Sequence, residues 1–261
     1  MAQANANADK ILAGQTAIVT GSGQNLGRGI ALALAGAGAN IVLNGRANMA
    51  DLEESAQAIL DRDPDTAVMT ILADVSKHEQ VEAMVAQALA RFGRVDIAVS
   101  NVGLRRHQPL LDISIADWTS VMETSLFSAF YLARAVLPSM KARGYGRIIH
   151  ISGRDGFFTE PNRAHNVTAK AGMHALAKAI GLEFGPFGIT ANTIAPALME
   201  TRRNLEEYPD FERISRERVA KIPLRRKGTP DDVGRACLYL TDPDSYVNGQ
   251  LLHLNGGEYL Y

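Results

Sequence analysis

Short apolar runs alternate with longer amphipathic stretches along the whole chain, and this alternation limits the fold more than any other feature. Runs rich in Val, Ile and Leu predict strands at residues 16–20, 40–43, 68–72, 96–100, 147–152, 190–194 and 251–254. Helical periodicity lies between them, near residues 27–37, 51–62, 77–92, 115–142, 163–184 and 230–240. The strands show little polar alternation, as expected of parallel strands covered on both faces. The sequence therefore predicts an α/β fold with a single doubly wound parallel sheet of about seven strands and helices on both faces.

Composition excludes several classes of protein. The 27 basic side chains nearly balance the 28 acidic ones, for a formal charge of −1, whereas a nucleic-acid-binding surface needs clustered excess Lys and Arg. No apolar run approaches the roughly 20 residues of a membrane span. Cys237 is the single cysteine, so no intrachain disulfide can form, which fits a reducing compartment and predicts a cytoplasmic protein. The six histidines are scattered, and we expect no catalytic metal.

A glycine-rich turn follows the first predicted strand and precedes the first predicted helix. Glycine lets the backbone turn tightly and approach a pyrophosphate, and the helix N-terminus offers unpaired N–H groups to phosphate. Its place in the first strand–helix unit favours a dinucleotide site over an ordinary tight turn. The predicted contacts are Gly21, Ser22, Gln24, Asn25, Leu26 and Gly27.

The end of the second predicted strand carries an arginine where NAD sites usually place an acid. An Asp or Glu there holds the ribose 2′-hydroxyl of NAD. This chain reads Leu43-Asn44-Gly45-Arg46, and Arg46 could pair with a 2′-phosphate through charge-assisted hydrogen bonds. The sequence thus favours NADP(H) over NAD(H), with a solvated loop charge as the alternative reading of Arg46.

With these motifs the chain resembles the short-chain dehydrogenase/reductase family, of the single-domain, 3-oxoacyl-reductase-like type, from about residue 12 to 257. The glycine motif matches, although Asn25 stands where the family usually has Gly, and Asn101-Val102-Gly103 matches the signature after the fourth strand. Further matching segments are Asp74-Val75, Asn192 through Pro196 with Thr201, 222–224, 248–250 and 255–257.

The resemblance implies roles for these segments. Asp74 and Val75 would contact the adenine, and Pro196 and Thr201 would belong to the segment that holds the nicotinamide carboxamide. The family commonly pairs subunits through two long helices, which fall here on residues 115–142 and 163–184. We therefore expect a homo-oligomer, a tetramer or a dimer, although a long apolar helix face could equally pack internally.

Of the four catalytic roles that the resemblance implies, one is filled by its usual residue. In the family a Tyr is the general acid/base, and a Lys four residues later lowers the Tyr pKa and holds the ribose. A Ser thirteen residues before the Tyr bonds the substrate oxygen, and a helix Asn supports a proton-relay water. These positions fall on Asn166, Lys170, Gly153 and Ser125. Asparagine cannot deliver a proton at neutral pH, so the usual mechanism cannot be carried over.

Neighbouring side chains are candidates for the missing proton donor. His165 adjoins the vacant tyrosine position and titrates near neutrality, but adjacent helix positions lie about 100° apart, so it could point beside the site. We rank His107 and then Asp155 after it. Ser152 adjoins the missing serine, but successive strand side chains point to opposite faces.

Residues 199–227 form a long charged segment before the last strand, either a substrate lid or a solvated insertion. Arginines in and near it could bind an anionic substrate, because a guanidinium matches a carboxylate. We single out Arg106 and Arg154. The expected organisation is a flexible N-terminal segment at 1–10 and one dinucleotide-binding and catalytic domain at 11–261, with the lid at about 199–227.

Three functions remain open. The favoured one is an NADP(H)-dependent oxidoreductase that transfers a hydride between nicotinamide and a small carbonyl or alcohol, with a non-standard proton donor. Its support is the largely intact cofactor half, including Lys170. The alternatives are a nucleotide-binding pseudoenzyme on the same fold, and a lyase or isomerase that keeps the nucleotide.

Overall fold

Seven parallel strands form one sheet in the part of the chain that the computed structural model describes, residues 10–202 and 211–260. In chain order the strands are β1 (Thr16–Val19), β2 (Asn40–Gly45), β3 (Val68–Leu72), β4 (Ile97–Ser100), β5 (Gly146–Ile151), β6 (Ile189–Pro196) and β7 (Leu251–Leu254). The spatial order is β3-β2-β1-β4-β5-β6-β7. The predicted fold class is confirmed.

Helices cross between consecutive strands. Within the described residues they are α1 (Asn25–Gly36), α2 (Met49–Leu60), α3 (His78–Phe92), α4 (Ile115–Met122), α5 (Ser128–Arg143), α6 (Ala164–Phe184), α7 (Phe211–Val219) and α8 (Pro230–Thr241). Where the sequence predicted one helix over 115–142, a π-helical turn, Glu123–Phe127, separates α4 from α5. None of the described helices is long and apolar enough to cross a membrane.

Alternate side chains of each strand enter two separate cores. On β1, Ala17 and Val19 pack with Ile30 and Leu34 of α1 on one face, whereas Ile18 packs on the other face against a cluster that includes Met84 of α3. Both faces are therefore apolar, which explains why the strands lack polar alternation in the sequence.

The strand order reverses direction between β1 and β4, and this reversal positions the site. The chain first adds β2 and β3 on one side of β1 and then β4 to β7 on the other. In such sheets a crevice opens beyond the carboxyl ends of the strands at this point. Residues 1–9, in the predicted flexible segment, and residues 203–210, in the predicted lid, lie outside the described residues.

Candidate functional site

The glycine-rich turn is drawn tightly against the end of β4. The Asn101 side-chain amide donates hydrogen bonds to the Thr20 carbonyl at 3.0 Å and to the Gly21 carbonyl at 3.1 Å. A Cβ on Gly27 would lie 2.7 Å from Asn101 Nδ2, and closer still to the carbonyl oxygen of Gly21, so only glycine fits there. Gly21 itself has a φ of 61°. The turn therefore leaves the start of α1 open to a ligand.

Asn25 begins α1 with a φ of 52°, which asparagine tolerates better than other residues with a side chain. Its Oδ1 accepts a hydrogen bond from the Arg202 backbone N–H at 2.7 Å, and its Nδ2 donates to the Arg202 carbonyl at 3.4 Å. The preceding residue, Gln24, makes no side-chain cap to the helix. The first-turn N–H groups of α1 are thus free of a side-chain cap, as a phosphate-binding helix start requires.

Asn44 joins the ends of three strands, a role that sequence reasoning missed. It is buried at the end of β2, where its Nδ2 donates to the Ala73 carbonyl at 3.1 Å and its Oδ1 accepts from the Gly21 N–H at 3.4 Å. Its own N–H donates to Ser22 Oγ at 3.0 Å. The Ser22 hydroxyl therefore points into the fold and shapes the turn, and it does not line a ligand site. An asparagine at the end of an apolar predicted strand was the signal in the sequence that could have indicated this role.

Arg46 and Asp74 lie near each other beyond the ends of β2 and β3. Arg46 is exposed. Burial raises the pKa of Asp74, but hydrogen bonds from Ser76 and the attraction of Arg46 and Lys77 outweigh it, so the pKa lies below its ordinary value. Val75 beside it is buried. A cationic side chain and an anionic one thus stand at the place where the sequence predicted the adenosine end of a dinucleotide.

An inner cavity of about 220 Å³ opens at the carboxyl ends of β4 and β5. It is lined by Leu26, Asn101, Gly103, Leu104, Arg105, Ser125, Ile151, Ser152, Gly153, Asp155, Asn166 and Lys170. Seven of the predicted cofactor-binding and catalytic residues thus meet in one place, from five separate segments of the chain: Leu26, Asn101, Gly103, Ser125, Gly153, Asn166 and Lys170. No tyrosine of the described residues lines this cavity.

Lys170 extends from α6 into the floor of the inner cavity. Its Nζ donates a hydrogen bond to the Ile151 carbonyl at 3.0 Å and lies 3.8 Å from Met173 Sδ. A Cβ on Gly103 would lie 3.1 Å from this Nζ. The absence of a side chain at position 103 therefore lets the loop after β4 approach the ammonium. Burial and the nearby Arg105 guanidinium lower the pKa of Lys170 to about 8, although the Asp155 carboxylate raises it.

Ser125 lies at the centre of the π-helical turn, and its side chain is buried. Its Oγ accepts a hydrogen bond from the Leu104 N–H at 3.1 Å, which ties the turn to the loop after β4. π-Helical turns inside α-helices are frequent at functional sites, because they re-aim a side chain. Here the turn brings Ser125 to the cavity that holds Lys170.

Asn166 and Gly153 leave the family's tyrosine and serine positions without a hydroxyl group. The Asn166 amide is engaged at both ends by the Arg106 backbone: Nδ2 donates to the carbonyl at 2.7 Å and Oδ1 accepts from the N–H at 3.4 Å. A Cβ on Gly153 would have one neighbouring atom within 4 Å, the Pro196 carbonyl oxygen at 3.7 Å. The cavity is therefore open where a serine side chain would stand.

His165, the first-ranked candidate proton donor, does not line the inner cavity. It is fully buried, burial lowers its pKa, and its Nδ1 accepts a hydrogen bond from the Asn166 N–H at 3.0 Å. The rotation of about 100° per helix residue carries it off the face of α6 that presents Asn166 and Lys170. The structure does not bring this predicted residue into the site.

Ser152 lines the inner cavity, and its hydroxyl is bonded to a side chain of α6. Its Oγ and His174 Nε2 are hydrogen-bonded at 2.6 Å, and His174 stacks on Phe157 with ring centroids 4.6 Å apart. Burial lowers the pKa of His174 to about 4. This pair holds the end of β5 to the helix that carries Lys170.

An outer cavity of about 230 Å³ adjoins the inner one, and Arg105 and Asp155 line both. The other residues around it are His107, Arg154, Arg163, Pro196, Ala197, Leu198, Met199, Phe211, Ile214, Ser215 and Arg218. Leu198 and Met199 line this cavity together with Phe211 and Ile214 of α7. Part of the predicted lid therefore borders a cavity. Pro196, which the sequence places in the segment predicted to hold the nicotinamide carboxamide, also lines the outer cavity.

Of the two arginines singled out for a substrate anion, one lies at this cavity. Arg154 lines it and forms ion pairs with Glu160 and Glu258. Arg106 instead forms an ion pair with Asp117 and lines neither cavity, so the structure does not bring this predicted residue to the site. Its neighbour Arg105 lines both cavities.

Asp155 is the acid at the junction of the two cavities. Its Oδ1 accepts a hydrogen bond from Arg163 Nη1 at 2.9 Å, and its Oδ2 lies 3.9 Å from Arg105 Nε. His107 lines the outer cavity, where burial and then the Arg163 and Arg105 charges lower its pKa. Within residues 10–202 and 211–260, no group of three or more His, Cys, Asp or Glu side chains could hold a metal ion.

Thr201 adjoins the glycine turn and supplies an unsatisfied polar atom. It lines a groove with Gln24 and Asn25, and its Oγ1 is buried without a hydrogen-bond partner among the described residues. Buried hydroxyls are normally paired. An orphaned hydroxyl beside an uncapped helix start fits a ligand that carries phosphate or amide groups, and a nicotinamide dinucleotide carries both.

Known proteins that resemble this chain over nearly its whole length are reductases. A family model described as enoyl-(acyl carrier protein) reductase matches residues 21–258. The 3-oxoacyl-[acyl-carrier-protein] reductase of Vibrio cholerae is 34% identical over 95% of this chain and 99% of its own. That of Chlamydia muridarum is 35% identical with the same coverage.

Solved structures agree with the sequence relatives. Levodione reductase superposes with a TM-score of 0.89 at 29% identity, over 95% of this chain and 98% of its own. A putative NAD(P)-dependent gluconate 5-dehydrogenase from Beutenbergia cavernae, solved with NADP, gives a TM-score of 0.85 at 34% identity, over 96% of this chain and 98% of its own.

Proposed function

Because the chain belongs to the short-chain dehydrogenase/reductase family and is an NAD(P)-dependent oxidoreductase of it, we propose that it transfers a hydride between nicotinamide and a small carbonyl or alcohol held in the inner cavity. The observation that carries this proposal is the meeting of Asn101, Ser125 and Lys170 around one cavity at the point where the strand order reverses. In such sheets this is where a dinucleotide and its substrate meet.

The residues present fit the cofactor that this reaction needs. The uncapped start of α1 would hold the pyrophosphate, the orphaned Thr201 hydroxyl would bond a polar group of the cofactor, and Lys170 would face the ribose. The bound cofactor supplies or accepts the hydride. The residues of the inner cavity bind the substrate, exclude water and handle the accompanying proton.

NADP(H) is the proposed cofactor, in preference to NAD(H). Exposed Arg46 follows β2, and buried Asn44 occupies the end of that strand, where an acidic residue would favour the ribose 2′-hydroxyl of NAD. Guanidinium pairs well with phosphate. The Asp74 carboxylate near Arg46 opposes this preference in part, because it attracts the same cation.

The substrate we propose is a small anion. The outer cavity is lined by four arginines, one acid and apolar side chains that include Leu198, Met199 and Ile214. Arg105 has the longest ion pair of these arginines, 3.9 Å to Asp155, so it is the one most easily drawn to a substrate carboxylate. A carboxylate held there would place the rest of a small molecule toward Lys170, because Arg105 lines both cavities.

Subunit pairing through α5 and α6 is also proposed. A groove between these helices is lined by apolar side chains that include Leu137, Leu176 and Phe184, and Phe130 is 46% exposed at its edge. An apolar groove of this kind on two long helices suits a second copy of the chain. A cytoplasmic location completes the proposal, since Cys237 is free and buried, which suits a reducing compartment.

The test combines cofactor binding with turnover. NADPH and NADH are titrated separately while the melting temperature is followed, because a ligand at 100 times its Kd adds about 2.7 kcal/mol to folding stability. Absorbance of the reduced nicotinamide is then followed with a panel of keto acids, hydroxy acids and their neutral esters. A protein that neither nucleotide stabilises and that turns over none of these compounds would refute the proposal.

A further inference from the structure

Lys170 is the side chain of the inner cavity best suited to exchange a proton near neutral pH. Among the described residues that line this cavity, the side chains that titrate are Arg105, Asp155 and Lys170. A guanidinium does not release its proton in proteins. Asp155 is an ion-pair partner of Arg163 and Arg105, and an ionised carboxylate has no proton to donate. Only the lysine has both a proton to give and a base form that can take one back.

The other polar groups of the cavity are engaged elsewhere or cannot act as acids. Both ends of the Asn166 amide are bonded to the Arg106 backbone. The Ser125 hydroxyl accepts from the Leu104 N–H, and the Ser152 hydroxyl is bonded to His174 outside the cavity. The position of the missing phenol is therefore not taken over by another acid on α6 or β5.

Lys170 Nζ has hydrogen-bonding capacity left for a ligand. One N–H goes to the Ile151 carbonyl at 3.0 Å, and the Met173 sulfur at 3.8 Å is a weak acceptor. An ammonium has three N–H groups. The glycine at position 103 keeps the space in front of Nζ free of a side chain. A substrate oxygen that enters the inner cavity can thus reach the ammonium directly.

We propose that Lys170 is itself the general acid/base of this enzyme, in place of the tyrosine that the family uses. The proposal rests on the hydride-transfer function proposed above. In reduction, the carbonyl carbon gains a hydride with its electron pair from the reduced nicotinamide, and the carbonyl oxygen takes a proton from the Lys170 ammonium. The products are the alcohol, the oxidised cofactor and a neutral amine, which regains its proton from solvent. In oxidation, the neutral amine accepts the hydroxyl proton.

The charges around Lys170 support this role. The Arg105 guanidinium lies on the loop after β4 and the Asp155 carboxylate on the turn after β5, and with burial they leave the pKa of Lys170 at about 8. The other titratable neighbours are His150 on β5 and His174 on α6, and burial lowers the pKa of each to about 4, so both are neutral where the enzyme would work. General acid/base catalysis is most efficient when the pKa lies near the operating pH.

The first experiment compares pH profiles of kcat. In the wild type, kcat changes with an apparent pKa near 8, and it rises with pH for alcohol oxidation. Lys170→Arg keeps the positive charge but cannot release a proton, so kcat falls by about 10²–10⁴ and the limb near pH 8 disappears. Lys178→Arg, an exposed position on the same helix, is the matched control and keeps both kcat and the limb. A Lys170→Arg enzyme that retains the limb would show that Lys170 acts only through its charge, and would overturn the proposal.

The second experiment needs neither cofactor nor turnover. The wild-type protein is labelled with an amine-acylating reagent at a series of pH values, and the rate at each lysine is read by peptide mass spectrometry. We expect the Lys170 rate to inflect near pH 8, well below the ordinary lysine value of about 10.4. An inflection of Lys170 near 10 would refute its role. Inflection near 8 without cofactor binding or turnover would instead locate the failure in the proposed function.

Discussion

The side-chain amide of Asn25 holds the backbone of Arg202 at both of its polar atoms, with Oδ1 accepting from the N–H at 2.7 Å and Nδ2 donating to the carbonyl at 3.4 Å. This pairing joins the glycine-rich turn to the segment that follows Thr201. Glycine, the usual residue at this point of the family motif, could not make it. The asparagine therefore keeps the positive φ that the turn needs and adds an anchor for the chain beyond β6.

We expect Asn25→Ala to destabilise the protein more than Asn25→Gly. Both variants lose the two hydrogen bonds to Arg202, but only alanine keeps a Cβ at a φ of 52°, which costs about 1–2 kcal/mol. Urea unfolding of the two variants measures the difference. Equal losses of unfolding free energy would show that the backbone relaxes away from the positive φ.

Gly153→Ser should fold with little change in stability, whereas Asn166→Tyr should not. The space beside Gly153 is open, and its φ of 160° is extended backbone that serine can adopt. The tyrosine substitution instead breaks both hydrogen bonds to the Arg106 backbone, at a cost of about 1–3 kcal/mol. Unfolding free energies of the two single variants check this, with Asn166→Ala to separate the lost amide from the added ring. Equal stability of Asn166→Tyr and the wild type would contradict the pairing.

Arg46→Ala should weaken NADPH binding selectively. Loss of a charge-assisted contact to the 2′-phosphate costs about 1.5–3 kcal/mol, which is roughly a 10- to 100-fold rise in Kd. The Kd for NADH, which lacks that phosphate, should stay nearly the same. Fluorescence titration with both nucleotides measures the ratio, and Arg62→Ala, an exposed arginine after α2, is the charge-matched control. A parallel loss for both nucleotides would remove the basis for preferring NADP(H).

Arg105→Ala and Arg106→Ala are neighbouring changes with opposite expected results. Arg105 lines both cavities, so its loss should raise KM for a keto acid or hydroxy acid by about 10-fold or more, and should leave KM for the neutral ester nearly unchanged. Arg106 pairs with Asp117, and its bonds to Asn166 come from the backbone, so its truncation should affect neither substrate. Steady-state kinetics on the acid and ester pair would contradict the assignment if Arg106→Ala had the larger effect.

The sequence predicted the features of the fold and of the site that depend on patterns of neighbouring residues. The strands, the glycine turn and the positions of Asn101, Gly153 and Lys170 were predicted, and in a parallel sheet the strand ends bring such positions to one edge. The sequence did not indicate that Arg105 lines both cavities and Arg106 lines neither, since a loop without regular structure gives no periodicity from which to read side-chain direction.

Other features depended on contacts between distant segments. The hydrogen bonds of Asn25 to Arg202 and of Asn166 to Arg106 span 177 and 60 residues of the chain, and no local pattern marks either partner. The π-helical turn around Ser125 likewise has no periodicity of its own in a window that reads as one helix. These contacts decide which polar groups stay free in the site, and a sequence pattern does not record them.

Acid should destabilise the protein partly through His150. The side chain is fully buried on β5, with Nδ1 3.1 Å from the Met173 carbonyl, and Nε2 has no hydrogen-bond partner among the described residues. Burial lowers its pKa from 6.5 to about 4.

Between these pKa values the unfolded chain binds a proton that the folded chain does not. The unfolding free energy therefore falls as the pH falls from about 6.5 toward 4, by about 3 kcal/mol in all from this group. His150→Gln should remove that part of the slope of unfolding free energy against pH. His174, with a similarly lowered pKa, keeps part of the slope in this variant. Urea unfolding at half-unit steps from pH 4 to 8 measures it, and an unaltered slope in His150→Gln would mean that the histidine accepts its proton without unfolding.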